Sequence, residues 1–102
     1  MYNVLMTELK FEWDINKDKI NTKKHGVTFD EARTVFFDEH AIDFYDPEHS
    51  DEEERFILLG NSFKLNTIIV CHCFREEQTK VRIISARKAN KKEQKSYWKY
   101  RK

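Results

Sequence analysis

Apolar and polar residues alternate at Leu9-Lys10-Phe11-Glu12-Trp13, the two-residue period of a strand with one buried face. Asp14 then stands where a helix needs a cap, and the pattern predicts a helix over 15–25 with Ile15 and Ile20 inward and the other positions polar. Lys23, Lys24 and His25 fall in its last turn, where positive charge complements the dipole, and Gly26 suits the left-handed position that closes it. Thr28-Phe29-Asp30-Glu31 is a capping-box pattern, Thr28 at the cap and Glu31 three residues on. Phe29, Ala32, Val35 and Phe36 follow at helical spacing and predict a second helix over 29–37. Strand patterns then return at 41–45, 55–60, 67–75 and 80–86. They are separated by a turn at 46–50, an acidic run at 51–54, a hairpin connection at 61–66 and a turn at 76–79. A final helix is predicted from 89 to about 100.

The predicted order is β-α-α-β-β-β-β-α. Consecutive strands joined by short turns imply an antiparallel meander, and the helices must cover a sheet face to bury it. The fold class is α+β, in a single domain spanning 1–102. Residues 1–8 read as an N-terminal extension of that domain, with Met6 an alternative start.

The chain has 102 residues, 39% of them hydrophobic and 14% aromatic, enough apolar material for one core. No apolar run approaches the roughly 20 residues of a membrane span. The N-terminus lacks the basic start and long apolar stretch of a signal peptide, so a cytoplasmic location is the default expectation. Cys71 and Cys73 flank His72 and share one strand face, a poor geometry for a disulfide. With no second Cys pair, zinc is not expected either. Both thiols read as small buried hydrophobes, with His72 an ordinary histidine on the opposite face.

Charge changes the picture more than composition does. The net charge is +1, yet residues 38–54 carry nine acidic side chains and no Lys or Arg, while residues 79–102 carry ten basic ones against Glu93 alone. The basic tail alternates with Tyr97, Trp98 and Tyr100. That arrangement suits either stacking on nucleic-acid bases or pinning the tail to the core. Lys80-Val81-Arg82-Ile83-Ile84-Ser85-Ala86-Arg87 reads as a core strand bearing guanidinium groups. Arginine is rarely buried unpaired, and its donor fork matches a phosphate. In an unbroken strand Arg82 and Arg87 face opposite sides; a bulge near Ser85, or the end of the strand there, would bring them to one side.

Several motifs occur together in order: Phe11-Glu12-Trp13-Asp14; Asn21-x-x-Lys24-His25-Gly26-Val27-Thr28-Phe29-Asp30-Glu31-Ala32; Asp46-x-x-His49-Ser50-x-x-Glu53-Glu54-Arg55; and Arg82-Ile83-Ile84-Ser85-Ala86-Arg87-x-Ala89. On these motifs residues 11 to about 100 resemble the BrnT family of bacterial toxins. The resemblance implies a RelE-like fold and a ribonuclease that needs no metal or other cofactor. It also implies neutralisation by a BrnA-type antitoxin, a ribbon-helix-helix protein. Toxin and antitoxin would form a heterotetramer that meets DNA through the antitoxin. Two departures stand out. Many members carry Gly-Arg in the hairpin where this chain has Phe63-Lys64-Leu65-Asn66, and Tyr-Thr often precedes the strand-end arginine, where this chain has Cys73-Phe74.

Metal-free RNA cleavage uses the substrate 2′-hydroxyl as nucleophile, so a base, an acid and cations for the charge on phosphorus are required. Arg75, Arg82 and Arg87 are the expected phosphate cradle, with Arg55 available beside them. Glu54 is the expected base or orienter, its alternative being a simple pair with Arg55. His25 is an acid–base candidate or a helix C-cap. Lys24, Lys80, Lys88 and Lys91 are the expected RNA contacts, Lys24 alternatively serving the helix dipole. His49 is explained as a loop residue by Asp46 and Ser50, Tyr97 as core packing and Asp14 as a cap. The competing reading is a non-catalytic homologue, or an RNA-binding module, that acts only through its antitoxin.

Overall fold

Each helix begins where the chain supplies a cap. In the computed structural model, which describes residues 9–47, 53–77 and 79–101, Asp14 accepts the backbone N–H groups of Asn16 and Lys17 and opens α1 (Ile15–His25). Gly26 ends α1 at φ 71° with its N–H on the Thr22 carbonyl, a conformation that costs glycine nothing. Thr28 accepts the N–H of Glu31 and opens α2 (Phe29–Thr34). The predicted continuous helix tightens at its end into a 3-10 turn over Val35–Phe37. Asn90 and Glu93 form a reciprocal capping box that opens α3 (Lys91–Tyr100). The expected reciprocal box at Thr28 is only half made. Glu31 is buried and turns inward, where its carboxylate accepts Ser62 Oγ at 2.7 Å and Asn66 Nδ2 at 2.9 Å.

The strands are β1 (Lys10–Glu12), β2 (Ile42–Asp46), β3 (Arg55–Asn61), β4 (Thr67–Arg75) and β5 (Lys80–Lys88). They form one sheet in the order β1-β5-β4-β3-β2. Strands β2 to β5 make the expected antiparallel meander. β1 departs from it, pairing in parallel with β5 through Lys10–Lys80, Phe11–Val81 and Glu12–Arg82. Two helices and three strands separate the two partners, so no short turn dictates the direction of β1. The architecture is α+β with a five-stranded mixed sheet and three helices, and no helix among the described residues is long and apolar enough to cross a membrane.

The core is built mainly on one sheet face. Val27, Phe29, Ala32, Val35 and Phe36 pack against Leu58, Ile68, Val70, Val81, Ile83 and Ala86. On the opposite face α3 covers only one end, where Tyr97 and Ala89 meet Leu59 and Ile69. The Tyr97 hydroxyl donates to Asp38, which also accepts the backbone N–H groups of Asn61 and His40. Burial alone would raise the Asp38 carboxyl, but these donors hold it below its ordinary value. Gly60 sits under the same junction, where a Cβ would lie 3.0 Å from Val35, Asp38 and Ala41.

α1 is not the amphipathic helix expected from Ile15 and Ile20, which are 59% and 66% exposed. It docks through an amide instead. Buried Asn21 donates Nδ2 to the carbonyls of Val27 and Ala86 and accepts the Ala86 N–H. The side chain thereby satisfies both backbone groups of Ala86, beyond the last residue of β5 that pairs with β1. The calls on residues 1–8, on His49 and Ser50, and on the acidic Asp51 and Glu52 lie outside the described residues.

His72 takes the face opposite Cys71 and Cys73, as expected. It is fully buried, with Phe36, Phe56 and Phe74 rings 4.8, 6.2 and 5.3 Å away and Nδ1 3.2 Å from the Val70 carbonyl. Burial pushes its pKa down from 6.5 to about 4. The unfolded chain therefore takes up the proton first as pH falls, so stability is full above about 6.5 and declines from there toward about 4. Urea unfolding should find the protein about 2 kcal/mol weaker at pH 5 than at pH 7.5; His72→Leu should remove that difference, and an unchanged difference would place its origin elsewhere. Asn21→Ala should cost about 3 kcal/mol in the same assay, because it strands two buried groups of Ala86. Asn21→Asp, which keeps only the acceptor, should recover little of it.

Candidate active site

Directly paired residues of neighbouring strands project from the same sheet face, so the register decides which arginines share a surface. Between β4 and β5 the pairs Ile69–Arg87, Cys71–Ser85, Cys73–Arg82 and Arg75–Lys80 all fall on the face opposite the main core. A register shift beside Cys71 and His72 makes this possible, since Ser85 pairs with Cys71 and Ile83 with His72, leaving Ile84 unopposed. That extra residue is a bulge. It carries Arg82 and Arg87 to one side, although five positions along a regular strand would part them. On β3 the alternation that sends Leu58 to the main core sends Arg55, Ile57 and Leu59 to the arginine face, and Asp46 on β2 pairs with Arg55.

All four candidate arginines thus lie on one face, but not at one point. Arg55, Arg75 and Arg82 surround Cys73 at the end that α3 leaves open. Arg87 is about 15 Å further along β5, at the margin of α3, where both its terminal nitrogens bond Glu93 at 2.8 Å. Arg82 donates Nη1 to Glu12 at 2.8 Å, its one hydrogen bond among the described side chains. Arg75 lies 3.6 Å from Glu53 and is half-exposed. Lys80 joins the same surface between Glu76 at 3.2 Å and Glu12 at 3.4 Å.

The remaining candidates stand apart from this cluster. Glu54 is exposed and borders a small recess with Phe56 and Phe74, residues of the His72 face. Lys88 pairs with Ile68 and so belongs to the core face rather than the arginine face. Lys91 is exposed at the start of α3. Lys24 and His25 occupy the last turn of α1 and, among the described residues, bond none of the arginines. Tyr97 is core, as read from sequence, whereas Trp98 and Tyr100 are exposed with Arg101 stacked 4.8 Å over Trp98.

Sequence reasoning missed the carboxylates that hold the arginines. Glu12 meets Arg82 only through the parallel β1–β5 pairing, for which the sequence carries no local signal. Glu93 could have been found, because Asn90-x-x-Glu93 is a capping box six residues beyond Arg87. Electrostatics fix the protonation states. The bond from Arg82 holds Glu12 below the ordinary carboxylate range, and Arg87 does the same for Glu93. Burial, reinforced by Glu53, pushes the Cys73 thiol up to about 11, and burial also raises Cys71, which is only half-buried. Both thiols therefore stay protonated at neutral pH and are poor nucleophiles. Chemically, this end of the face gathers permanent cations, with Glu12 and Glu53 at their sides. It suits a phosphodiester, whose oxygens match guanidinium donors.

The family model described as the ribonuclease toxin BrnT of type II toxin–antitoxin systems matches residues 13–93. The fold is similar to a crystal structure of the Brucella abortus ribonuclease toxin BrnT, with TM-score 0.61 and 25% identity over 81% of this chain and 99% of that one. Comparison with curated proteins gives no match. The chain belongs to the BrnT family of ribonuclease toxins, which act with an antitoxin partner in type II toxin–antitoxin systems.

Proposed function

We propose that this protein is a metal-independent endoribonuclease that arrests growth by cutting RNA, with a RelE-like use of the sheet as its active surface. The supporting observation is the gathering of Arg55, Arg75 and Arg82 around Cys73, on the sheet face opposite the main core, by the register of β3, β4 and β5. In the proposed reaction the substrate 2′-oxygen attacks the adjacent phosphorus, the P–O5′ bond breaks, and a 2′,3′-cyclic phosphate and a 5′-hydroxyl end remain. Arg82 and Arg75 take the charge that builds on the phosphoryl oxygens. They stay cationic at any working pH, so this task needs no metal ion.

The base is a carboxylate from the start of β3. Glu54 is the residue expected from sequence; Glu53 is the one that reaches the Arg75 guanidinium. Arg87, tied to Glu93, flanks the scissile phosphate and contacts its neighbour along the strand, with Lys80 and Lys91 as further backbone contacts. Lys88, Lys24 and His25 lie outside this set. The antitoxin is of the BrnA type, a ribbon-helix-helix protein that assembles with the toxin in the cytoplasm as a heterotetramer and carries the DNA contact.

Expression of the chain alone should stop growth, and the purified protein should cut RNA in the presence of EDTA. Arg82→Ala and Arg75→Ala should each lower the cleavage rate by about 100-fold or more while leaving thermal unfolding within a few degrees. Arg87→Ala should mainly weaken RNA binding. A soluble, folded protein that leaves RNA intact and growth unimpaired would instead support a non-catalytic homologue acting through its antitoxin.

A further inference from the structure

The β3–β4 hairpin presents an apolar surface that the cleavage chemistry does not use. Phe63 is 63% exposed, Leu65 81% and Phe37 49%, and all three border a cleft of about 470 Å³ with Thr34, Ser62 and Arg101. Three large apolar side chains around one concavity are unlike the scattered exposed residues of an ordinary surface. The hairpin that offers them is held firmly. Ser62 and Asn66 bond the buried Glu31, the Phe63 N–H bonds Thr34 Oγ1 at 3.0 Å, and the Asn61 N–H bonds Asp38 at 2.8 Å. Leu65 is kept at φ 63°, a conformation that disfavours a side chain and persists only where surrounding contacts impose it. The apolar tip is therefore preformed.

Charge indicates what covers it. Asp38, the one carboxylate lining the cleft among the described residues, is already occupied by the Tyr97 hydroxyl and two backbone N–H groups. Arg101, stacked over Trp98, lines the cleft, and Lys64 stands beside it on the hairpin, over the Phe63 ring at 5.7 Å. Neither has an ion pair among the described residues. Single-stranded RNA favours a track of cations with stacking platforms. A concave site of Phe, Phe and Leu with two cations instead suits apolar side chains flanked by carboxylates.

We infer that the cleft between the Phe63–Leu65 hairpin and Phe37 is the docking site for an acidic, apolar-anchored segment of the antitoxin, and that Arg101 receives its carboxylate. This rests on the reading that the chain pairs with an antitoxin. It adds where the partner grips, on a surface distinct from the arginine face.

The test uses the full chain and the purified antitoxin encoded beside its gene, with affinity measured by calorimetry. Phe63→Ser/Leu65→Asp should weaken binding by roughly 100-fold, since each apolar anchor is worth about tenfold or more. Arg101→Glu should weaken it by roughly tenfold. RNA cleavage and thermal unfolding of the double variant should stay near the parent's, because Phe63 and Leu65 are exposed. Parental affinity in the double variant would overturn the assignment. So would an unchanged affinity accompanied by lost RNA cleavage, or by conversion of a dimeric chain to a monomer, which would give the cleft to RNA or to a second copy. If the parent itself fails to bind the antitoxin, the partner reading falls first and the docking site with it.

Discussion

One extra residue in β5 sets the chemistry of the whole surface. With Ile84 unopposed, the strand reverses its facing between Ile83 and Ser85. Val81, Ile83 and Ala86 can then all enter the main core, while Arg82, Ser85 and Arg87 share the opposite face. A regular strand could satisfy the core on one side of this point or the arginines on the other, but not both. A bulge weakens the ladder locally and leaves backbone groups to be satisfied. Two residues on, Asn21 serves a separate need: β1 has ended by Arg82, and the amide stands in for that neighbouring strand at Ala86.

Buried polar groups set the rest of the shape. Glu31 and Asp38 lie at either end of the α2 and 3-10 segment, and each reaches across to the hairpin end of β3. Asp38 also receives Tyr97 from α3. Two carboxylates thus fix the junction of both layers, and each is saturated by donors rather than by a countercharge. A buried carboxylate with two or three hydrogen bonds is costly to disturb, so the hairpin and α3 are held in one arrangement.

What the sequence revealed and what it hid follow from the range of the interactions. Caps are local, and Asp14, Gly26, Thr28 and Asn90 mark helix ends close to those expected. Strand periods are local too, and all five strands lie within two residues of their predicted bounds. Ile15 and Ile20 misled because helical spacing presumes an apolar contact, whereas α1 docks through Asn21. Glu31 misled because its partners, Ser62 and Asn66, lie some thirty residues away. The parity conflict between Arg82 and Arg87 was visible in the sequence, and it pointed to the bulge. Which carboxylates stand beside the arginines was not visible, since Glu12 reaches Arg82 across seventy residues of chain.

Those carboxylates bear on how a cationic surface can exist without an anion. Arg75, Arg82 and Arg87 each have a glutamate within 3.6 Å, supplied by the segment before β3, by β1 and by α3. Exposed pairs of this kind add little stability. Their effect is to fix the direction of a long side chain and to limit like-charge repulsion on the face. A guanidinium with five donors can hold one carboxylate oxygen and still offer a second edge to phosphate. Arg82 is in that condition, bonded through one nitrogen among the described residues, whereas Arg87 gives both terminal nitrogens to Glu93. The difference ranks the two: Arg82 is poised to take phosphate directly, and Arg87 must release Glu93, and with it part of the α3 cap, before it can do the same.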